Sequence, residues 1–401
     1  MPQKKKKRRK VCFVITSFIH YSRSLLILEE LKKRSDVDLH IIIGGTALLS
    51  KYSSRYAYVK NILERDGFKN LYEVYFNLEG DSGAVKAQTA GLGLIEFAHL
   101  FNNLKPDLVV VRGDRFEVLS AAMAASYMRI PIAHLEGGDV TGTLDETVRH
   151  SITKLSHLHF VTNDDARRRV LQMGEPADYV FNFGSPEIEI AKKMARHPVR
   201  VAIMETGSGS PIDISKPYLM VMYHPVIGEK QGLSEKTKEL LAAVHALAMP
   251  TLWFWPNFDV GAEEISREMR VFNDTVSGHR IRFLRYLPPQ EFLSLLNGAK
   301  CLIGNSSAGI KESAYFGTPV VNVGTRQWGR LRGENVTDAP ESAAALQGAI
   351  LKQIKAGKYP PTRLYRAENT GKRIAGTIAT APLYIQKTFR ENGMQKSSRR
   401  R

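Results

Sequence analysis

Short apolar runs alternate with amphipathic segments along almost the whole chain. VCFVIT at 11–16 reads as a buried strand, and SLLILEELKKR at 24–34 as a helix with one apolar face. DLHIIIGG (38–45), PDLVVVRGD (106–114), PIAHLEGG (131–138), HLHFVTN (157–163) and YVFNFGSP (179–186) continue the strands. Helical stretches such as FEVLSAAMAASYMR (116–129) lie between them. The runs are continuous in Val, Ile and Leu rather than alternating, as expected of parallel strands covered on both faces. Repeated strand–helix units of this kind build an open, doubly wound sheet.

The pattern breaks at 196–217, where RHPVRVAIMETGSGSPIDISKP has the Gly, Ser and Pro content of a linker. A second series follows: YLMVMYHP (218–225), a helix near 233–248, TLWFWPN (251–257), RIRFLRYL (280–287), KCLIGNSS (300–307), a helix at 309–316 and TPVVNVG (318–324). A helix at 341–355 precedes a basic end. The predicted class is α/β, with two Rossmann-like domains at 11–200 and 201–375 facing a central cleft. Residues 1–10 and 376–401 flank them. Ligands of such sheets bind beyond the carboxyl ends of the strands, so the chemistry is sought there.

Composition refines this picture in one respect. The formal charge is +17, from 57 Lys and Arg against 40 Asp and Glu. Seven cations stand in KKKKRRK at 4–10 and four more at Lys396, Arg399, Arg400 and Arg401, with no acid in either stretch, so 17 − 11 leaves +6 on residues 11–395. The excess is mostly on the two tips, and the body shows no interleaved basic–aromatic surface, so specific nucleic-acid binding is not expected. No apolar run approaches the ~18 residues of a membrane span, and VCFVIT is too short for a signal-peptide core; the chain reads as cytoplasmic. Cys12 and Cys301, two thiols far apart in sequence, exclude a disulfide framework and a cysteine metal site. Both read as small buried hydrophobes.

Several polar residues stand where strands end. Asp114 follows LVVVRG and Glu136 follows IAHL, one strand–helix crossover apart, so two carboxylates face one crevice mouth. A helix cap would account for Asp114 but not for Glu136, whose following glycines let backbone approach a ligand. TGTLDETVRHSITKLSH adds Asp145 at a helix start and Arg149 a turn later, groups that would otherwise be a solvated helix face. His224 ends the strand before Pro225. GNSSAGIKESAYFG at 304–317 runs a strand through small residues into a helix, with Ser306, Ser307, Gly309 and Glu312. Free backbone N–H groups at such a turn suit a diphosphate. It is not the G-x-x-x-x-G-K-[ST] loop, and no G-x-G-x-x-G is present; GLGLIEF at 91–97 lacks the third glycine. Arg326, beyond the next strand, and Arg115, beside Asp114, are further cations for phosphate charge.

RGDRFEVLSAA, AHLEGGDVTGTLDETVRHSITKLSHLHF, YHP, PNFDVG, IGNSSAGIKE and GTPVVNVGTRQWGRLRGENV occur in the order seen in hydrolysing UDP-N-acetylglucosamine 2-epimerases, which the chain resembles over roughly residues 11–385. The resemblance implies a glycosyltransferase-B-like fold, a UDP-binding second domain, and a C-terminal helix in 376–401 crossing back to the first. It implies catalytic roles for Asp114, Glu136, Asp145 and His224. It likewise implies substrate binding by Ser306, Ser307, Gly309, Glu312, Arg326, Arg115 and Arg149. The implied reaction eliminates UDP to a glycal, with Asp114 or Glu136 as base, and then adds water, giving N-acetylmannosamine. This route requires no metal and no redox cofactor. The implied partners are the UDP-sugar and further copies of the chain, as a homodimer or homotetramer.

One stretch departs from the family. Its members carry a pattern like S-R-A-[DE]-Y in the first loop, whereas TSFIHYSRS is one residue shorter, places His20 where the acid falls and has no matching arginine. Arg23, one turn later, is a candidate replacement. The change opens a second substrate, a UDP-2,4-diacetamido-6-deoxy sugar as used in legionaminic acid synthesis. The competing readings are a UDP-sugar glycosyltransferase and, in a different class, a polyanion-binding protein acting through the tips. Activity that survives deletion of residues 1–10 is the expectation that separates the last.

Overall fold

The computed structural model describes residues 7–48, 59–80, 82–194, 207–226, 232–257, 260–285, 287–365 and 368–390. The linker expected at 196–217 lies outside the described residues as far as 206, and so do residues 1–6 and 391–401 of the basic tips.

The first sheet contains β1 (Arg9–Ile15), β2 (Val37–Gly44), β3 (Leu71–Val74), β4 (Leu108–Arg112), β5 (Ile132–Leu135), β6 (Leu158–Val161) and β7 (Val180–Asn182). Their order is β3-β2-β1-β4-β5-β6-β7, parallel throughout. The helices of this half are α1 (Phe18–Lys32), α2 (Val59–Arg65), α3 (Gly83–Leu104), α4 (Phe116–Tyr127), α5 (Leu144–Leu155), α6 (Asp164–Gln172) and α7 (Pro186–Met194). In β1, Val11, Phe13 and Ile15 enter the core under α1, while Cys12 and Val14 enter the one under α3 and α4. Burial of both faces is why the run is continuously apolar.

The second sheet contains β8 (Ser208–Gly209), β9 (Leu219–Met222), β10 (Thr251–Phe254), β11 (Ile281–Leu284), β12 (Cys301–Gly304), β13 (Val320–Val323) and β14 (Val336–Ala339). Their order is β14-β13-β12-β9-β10-β11-β8, with only β8 antiparallel to its neighbour. Its helices are α8 (Leu233–Ala246), α9 (Ala262–Thr275), α10 (Pro289–Gly298), α11 (Glu312–Phe316) and α12 (Ala343–Ala356), and the last helix, α13 (Thr370–Thr380), returns to pack on α1 of the first half. Leu26 of α1 and Ile190 and Ala191 of α7 share a buried cluster with Tyr218, Met220 and Leu302, so an apolar seam joins the halves.

Some boundaries move. Arg9 and Lys10, read as tail, open β1, and Arg9 donates to Ile378 O and Ala381 O at 2.7 and 2.9 Å. Deleting 1–10 would therefore cut into the sheet. The returning helix begins at Thr370 rather than 376, and Thr370 Oγ1 donates to Phe183 O at 2.6 Å. GLGLIEF lies inside α3. Cys12 and Cys301 are buried, and desolvation pushes both thiols up to about 12. Among the described residues, no helix is long and apolar enough to cross a membrane.

Candidate active site

The carboxyl ends of both sheets open on one cavity of about 550 Å³, within the range of small-molecule sites. Asp114, Arg115, Glu136, Asp145, Arg149, His224, Ser306, Ser307, Glu312 and Arg326 all line it. Gly309 does not. It lies behind its turn, where an added Cβ would sit 3.1 Å from Val320 and 3.4 Å from Leu302.

β4 and β5 pair in register Arg112↔Leu135, which brings the two strand-end carboxylates to one rim. Asp114 does not cap α4; Arg115 occupies that position, and the Asp114 carboxylate accepts a hydrogen bond from Arg149. Glu136 is buried and holds φ +68, a left-handed conformation that non-glycine residues adopt at a cost. The glycines after it serve packing rather than ligand approach. A Cβ on Gly137 would lie 2.9 Å from Thr153 Oγ1, and one on Gly138 2.3 Å from Ala166 O.

The partners of Glu136 come from far away in sequence. Arg112 Nε lies 3.1 Å from Oε2 and Lys311 Nζ 2.7 Å from Oε1. Burial alone would raise this carboxyl, but Arg112, Lys311 and Arg23 overcome it and hold Glu136 well below the usual carboxylate range. Arg112 also pairs with Glu187. Arg23 reaches from α1 across the cleft, donating to Ser307 Oγ at 2.9 Å and lying 3.4 Å from Glu312. Glu312 is raised by burial against the pull of Arg23, and its Oε2 has no hydrogen-bond partner among the described residues. His20, buried and hydrogen-bonded to Thr16 Oγ1 at 3.1 Å, is pushed down to about 3 by burial and by Arg115 and Arg112, so it is neutral.

A second group of cations gathers opposite. Arg149 is 1% exposed, and burial together with Arg330 and Arg326 drives its pKa well below the ordinary value. These guanidiniums repel one another with only Asp114 paired to Arg149, and a further anion among them would lower that repulsion. Arg326 donates to Asn305 O at 3.1 Å. His224 is fixed by Asn305, which accepts from its N–H and donates to its carbonyl, both at 2.8 Å. Asn257 N–H donates to His224 Nδ1 at 3.0 Å, so the neutral ring carries its proton on Nε2.

The helix expected at 309–316 is interrupted. Residues Ser307–Gly309 form a 3₁₀ turn, and α11 has only 5 residues. Ser306 Oγ accepts Ala308 N–H at 3.3 Å as its cap. So short a helix has little macrodipole, and Arg149, Arg326 and Arg330 place positive charge on the cavity wall. Sequence reasoning missed Arg112, Lys311 and Arg330. Arg112, a charged residue ending the apolar run LVVV, was the available signal.

The family described as UDP-N-acetylglucosamine 2-epimerase matches residues 29–379 of the chain. The chain is 31% identical over 378 residues to the UDP-N,N'-diacetylbacillosamine 2-epimerase (hydrolyzing) of Legionella pneumophila, covering 94% of this chain and 97% of the relative. It is 34% identical over 334 residues to the GDP/UDP-N,N'-diacetylbacillosamine 2-epimerase (hydrolyzing) of Campylobacter jejuni, covering 83% and 84%. Among solved structures, the UDP-GlcNAc 2-epimerase of Methanocaldococcus jannaschii in complex with UDP-GlcNAc and UDP superposes with a TM-score of 0.75 at 17% identity, covering 92% of this chain and 99% of that one.

Proposed function

The chain belongs to the UDP-N-acetylglucosamine 2-epimerase family, and we propose that it hydrolyses a UDP-linked 2-acetamido sugar with inversion at carbon 2. The observation that carries this reading is one cleft holding the carboxylates of Asp114, Glu136 and Asp145 against the guanidiniums of Arg149, Arg326 and Arg330.

Diphosphate entering the cleft meets the three arginines and draws Arg149 away from Asp114. Asp114 loses its cation as the substrate seats, becomes more basic and takes the carbon-2 proton. The carbon–hydrogen electron pair forms the C1=C2 bond, the C1–O bond to the diphosphate breaks, and UDP leaves. His224 Nε2–H and Arg326 stabilise the charge growing on the leaving group. Glu136, kept anionic by its ion pairs, fixes the sugar and balances positive charge developing at carbon 1. Water then adds its hydroxyl to carbon 1, and a proton returns to the opposite face of carbon 2 with help from Asp145. The balance is UDP-sugar plus water giving UDP and the free 2-epimer.

Two sugars fit this chemistry. Phe18, Ala87, Phe116, Leu144 and Val148 give the N-terminal wall an apolar character. Such a wall suits the methyl groups of a 2,4-diacetamido-6-deoxy sugar, in keeping with the names of the two relatives. The second reading is UDP-N-acetylglucosamine, giving N-acetylmannosamine; it is favoured by the family's own description. Incubation of each UDP-sugar in deuterium oxide, with NMR of the products, tests both. The proposal expects UDP and a free 2-epimer deuterated at carbon 2, faster for the diacetamido sugar. Product without label would refute elimination, and glycosyl transfer to an added acceptor would refute hydrolysis.

A further inference from the structure

Lys311 stands in the segment between the 3₁₀ turn and α11 of the C-terminal half, yet both of its anionic partners belong to the N-terminal half. Its Nζ lies 2.7 Å from Glu136 Oε1 and 3.3 Å from Asp139 Oδ2. The side chain is 1% exposed and its ammonium lies 5.7 Å from the Tyr365 ring. Burying a lysine so completely is costly, and a domain seam needs only apolar contact, which Leu26, Ile190 and Tyr218 already supply here.

The two cations differ in where they bind. Arg112 faces Oε2 as a charge, its Nε making no hydrogen bond among the described residues, whereas Lys311 donates to Oε1, so the hydrogen bond that orients the carboxylate is the one from Lys311. The first cation comes from the neighbouring strand and the second from across the cleft. Building on the role of Glu136 given above, we propose that Lys311 is a positioning residue that completes Glu136 as a fixed anion only when the two domains are docked. Substrate binding and the working state of the carboxylate are thereby linked, since Lys311 follows the turn that carries Ser306 and Ser307 and its N–H donates to Ser307 O at 3.0 Å.

The charged and titratable groups around Glu136 are Arg112 on β4, His134 on β5, His20 and Arg23 on α1, Glu187 on α7, and Lys311. Burial, above all, pushes His20 and His134 down to about 3, so both are neutral where the enzyme works. The attraction of Glu136, Asp139 and Glu187 outweighs burial at Lys311 and raises it, so it remains a cation. Loss of Lys311 therefore makes Glu136 easier to protonate.

The test is kcat/KM against pH, by UDP release, for the full-length protein and for K311M, K311R and D139N. K311M is expected to move the acidic limb upward by about one pH unit, with roughly tenfold loss on that limb and recovery above it. K311R should restore the original limb, and D139N, which gives Lys311 wholly to Glu136, should move it downward. The Kd for UDP, measured by calorimetry, should change less than about threefold in K311M, because UDP lacks the sugar that Glu136 serves. An unmoved limb in K311M, or in D139N should K311M not fold, overturns the proposal. So does a loss confined to KM and UDP affinity. Absence of turnover by the unaltered protein with either sugar would instead refute the reading of function.

Discussion

Replacing Arg149 by Met separates stability from substrate binding. In the folded chain this guanidinium is nearly inaccessible, and burial, Arg330 and Arg326 all depress its pKa. A cation whose folded pKa is lowered opposes folding throughout the range where it is charged in the unfolded chain, which includes every practical pH. Methionine removes that cost while filling similar space. Against this stand the lost bond to Asp139 O at 2.9 Å and the lost pair with Asp114, whose side chain is 27% exposed and can be rehydrated. At about 1.5–3 kcal/mol for a hydrogen bond from a charged group and 0–1 for a pair open to water, these losses offset the desolvation that methionine relieves, and the balance lies near zero. The melting temperature should move by no more than about 3 °C. Binding has no such offset. A charged hydrogen bond to diphosphate is worth about 1.5–3 kcal/mol, a weakening of roughly 10- to 150-fold. Calorimetric melting with and without UDP, together with KM for the sugar nucleotide, reads both quantities. A melting temperature lowered by some 8 °C or more, with KM and the UDP-induced shift unchanged, would show that Arg149 is a structural cation and refute the reasoning.

E136Q keeps the shape but not the charge of the doubly paired carboxylate, and turnover should fall at least about 100-fold with the circular dichroism spectrum unchanged. Near-normal activity would remove Glu136 from the chemistry. G138A sets a Cβ 2.3 Å from Ala166 O at φ +80, and urea unfolding should show a loss of about 2–4 kcal/mol. Glu175 contacts His159, Lys154 and Lys387; burial opposes its ionisation, but these hydrogen bonds lower it to about 2. A depressed carboxyl contributes stability above its unfolded pKa near 4.5 and loses it as pH falls toward 2. E175Q should therefore flatten the acid side of a stability–pH curve between those values; an unchanged slope would exclude Glu175 as a source of acid sensitivity.

Strands buried on both faces were legible because each is an uninterrupted apolar run, and their ends pointed to Asp114, Glu136 and His224. The edge strands β3 and β14 were not. LYEV in β3 and VTDA in β14 are half exposed and carry no such run, which hid one outer member of each sheet. α3 escaped notice because Gly91 and Gly93 sit in its middle; Gly93 is there to admit Phe76 and Ser120 at 3.2 and 3.3 Å. Arg112 and Lys311 were missed for another reason. A buried cation is recognisable only through its partners, and Lys311 meets Glu136 across 175 positions of chain. The interruption after Ser307 defeated the expectation of one helix at 309–316, since propensity alone does not reveal a break of two residues.

The docking of α13 on α1 bears on how the molecule is made. Ile374, Ala375 and Ile378 cover Ile27, Leu28 and Leu31, and Gly371 approaches so closely that a Cβ would lie 2.9 Å from that of Leu26. During synthesis, the face of α1 leaves the ribosome more than 300 residues before its cover does. At about 5–20 residues per second, that apolar stripe waits for some 20–70 s. The C-terminal sheet, contiguous in sequence, can close during this interval, so the domain begun first is the one finished last. Nascent chains stalled short of Thr370 should therefore present α1 to chaperones, whatever the state of the second domain.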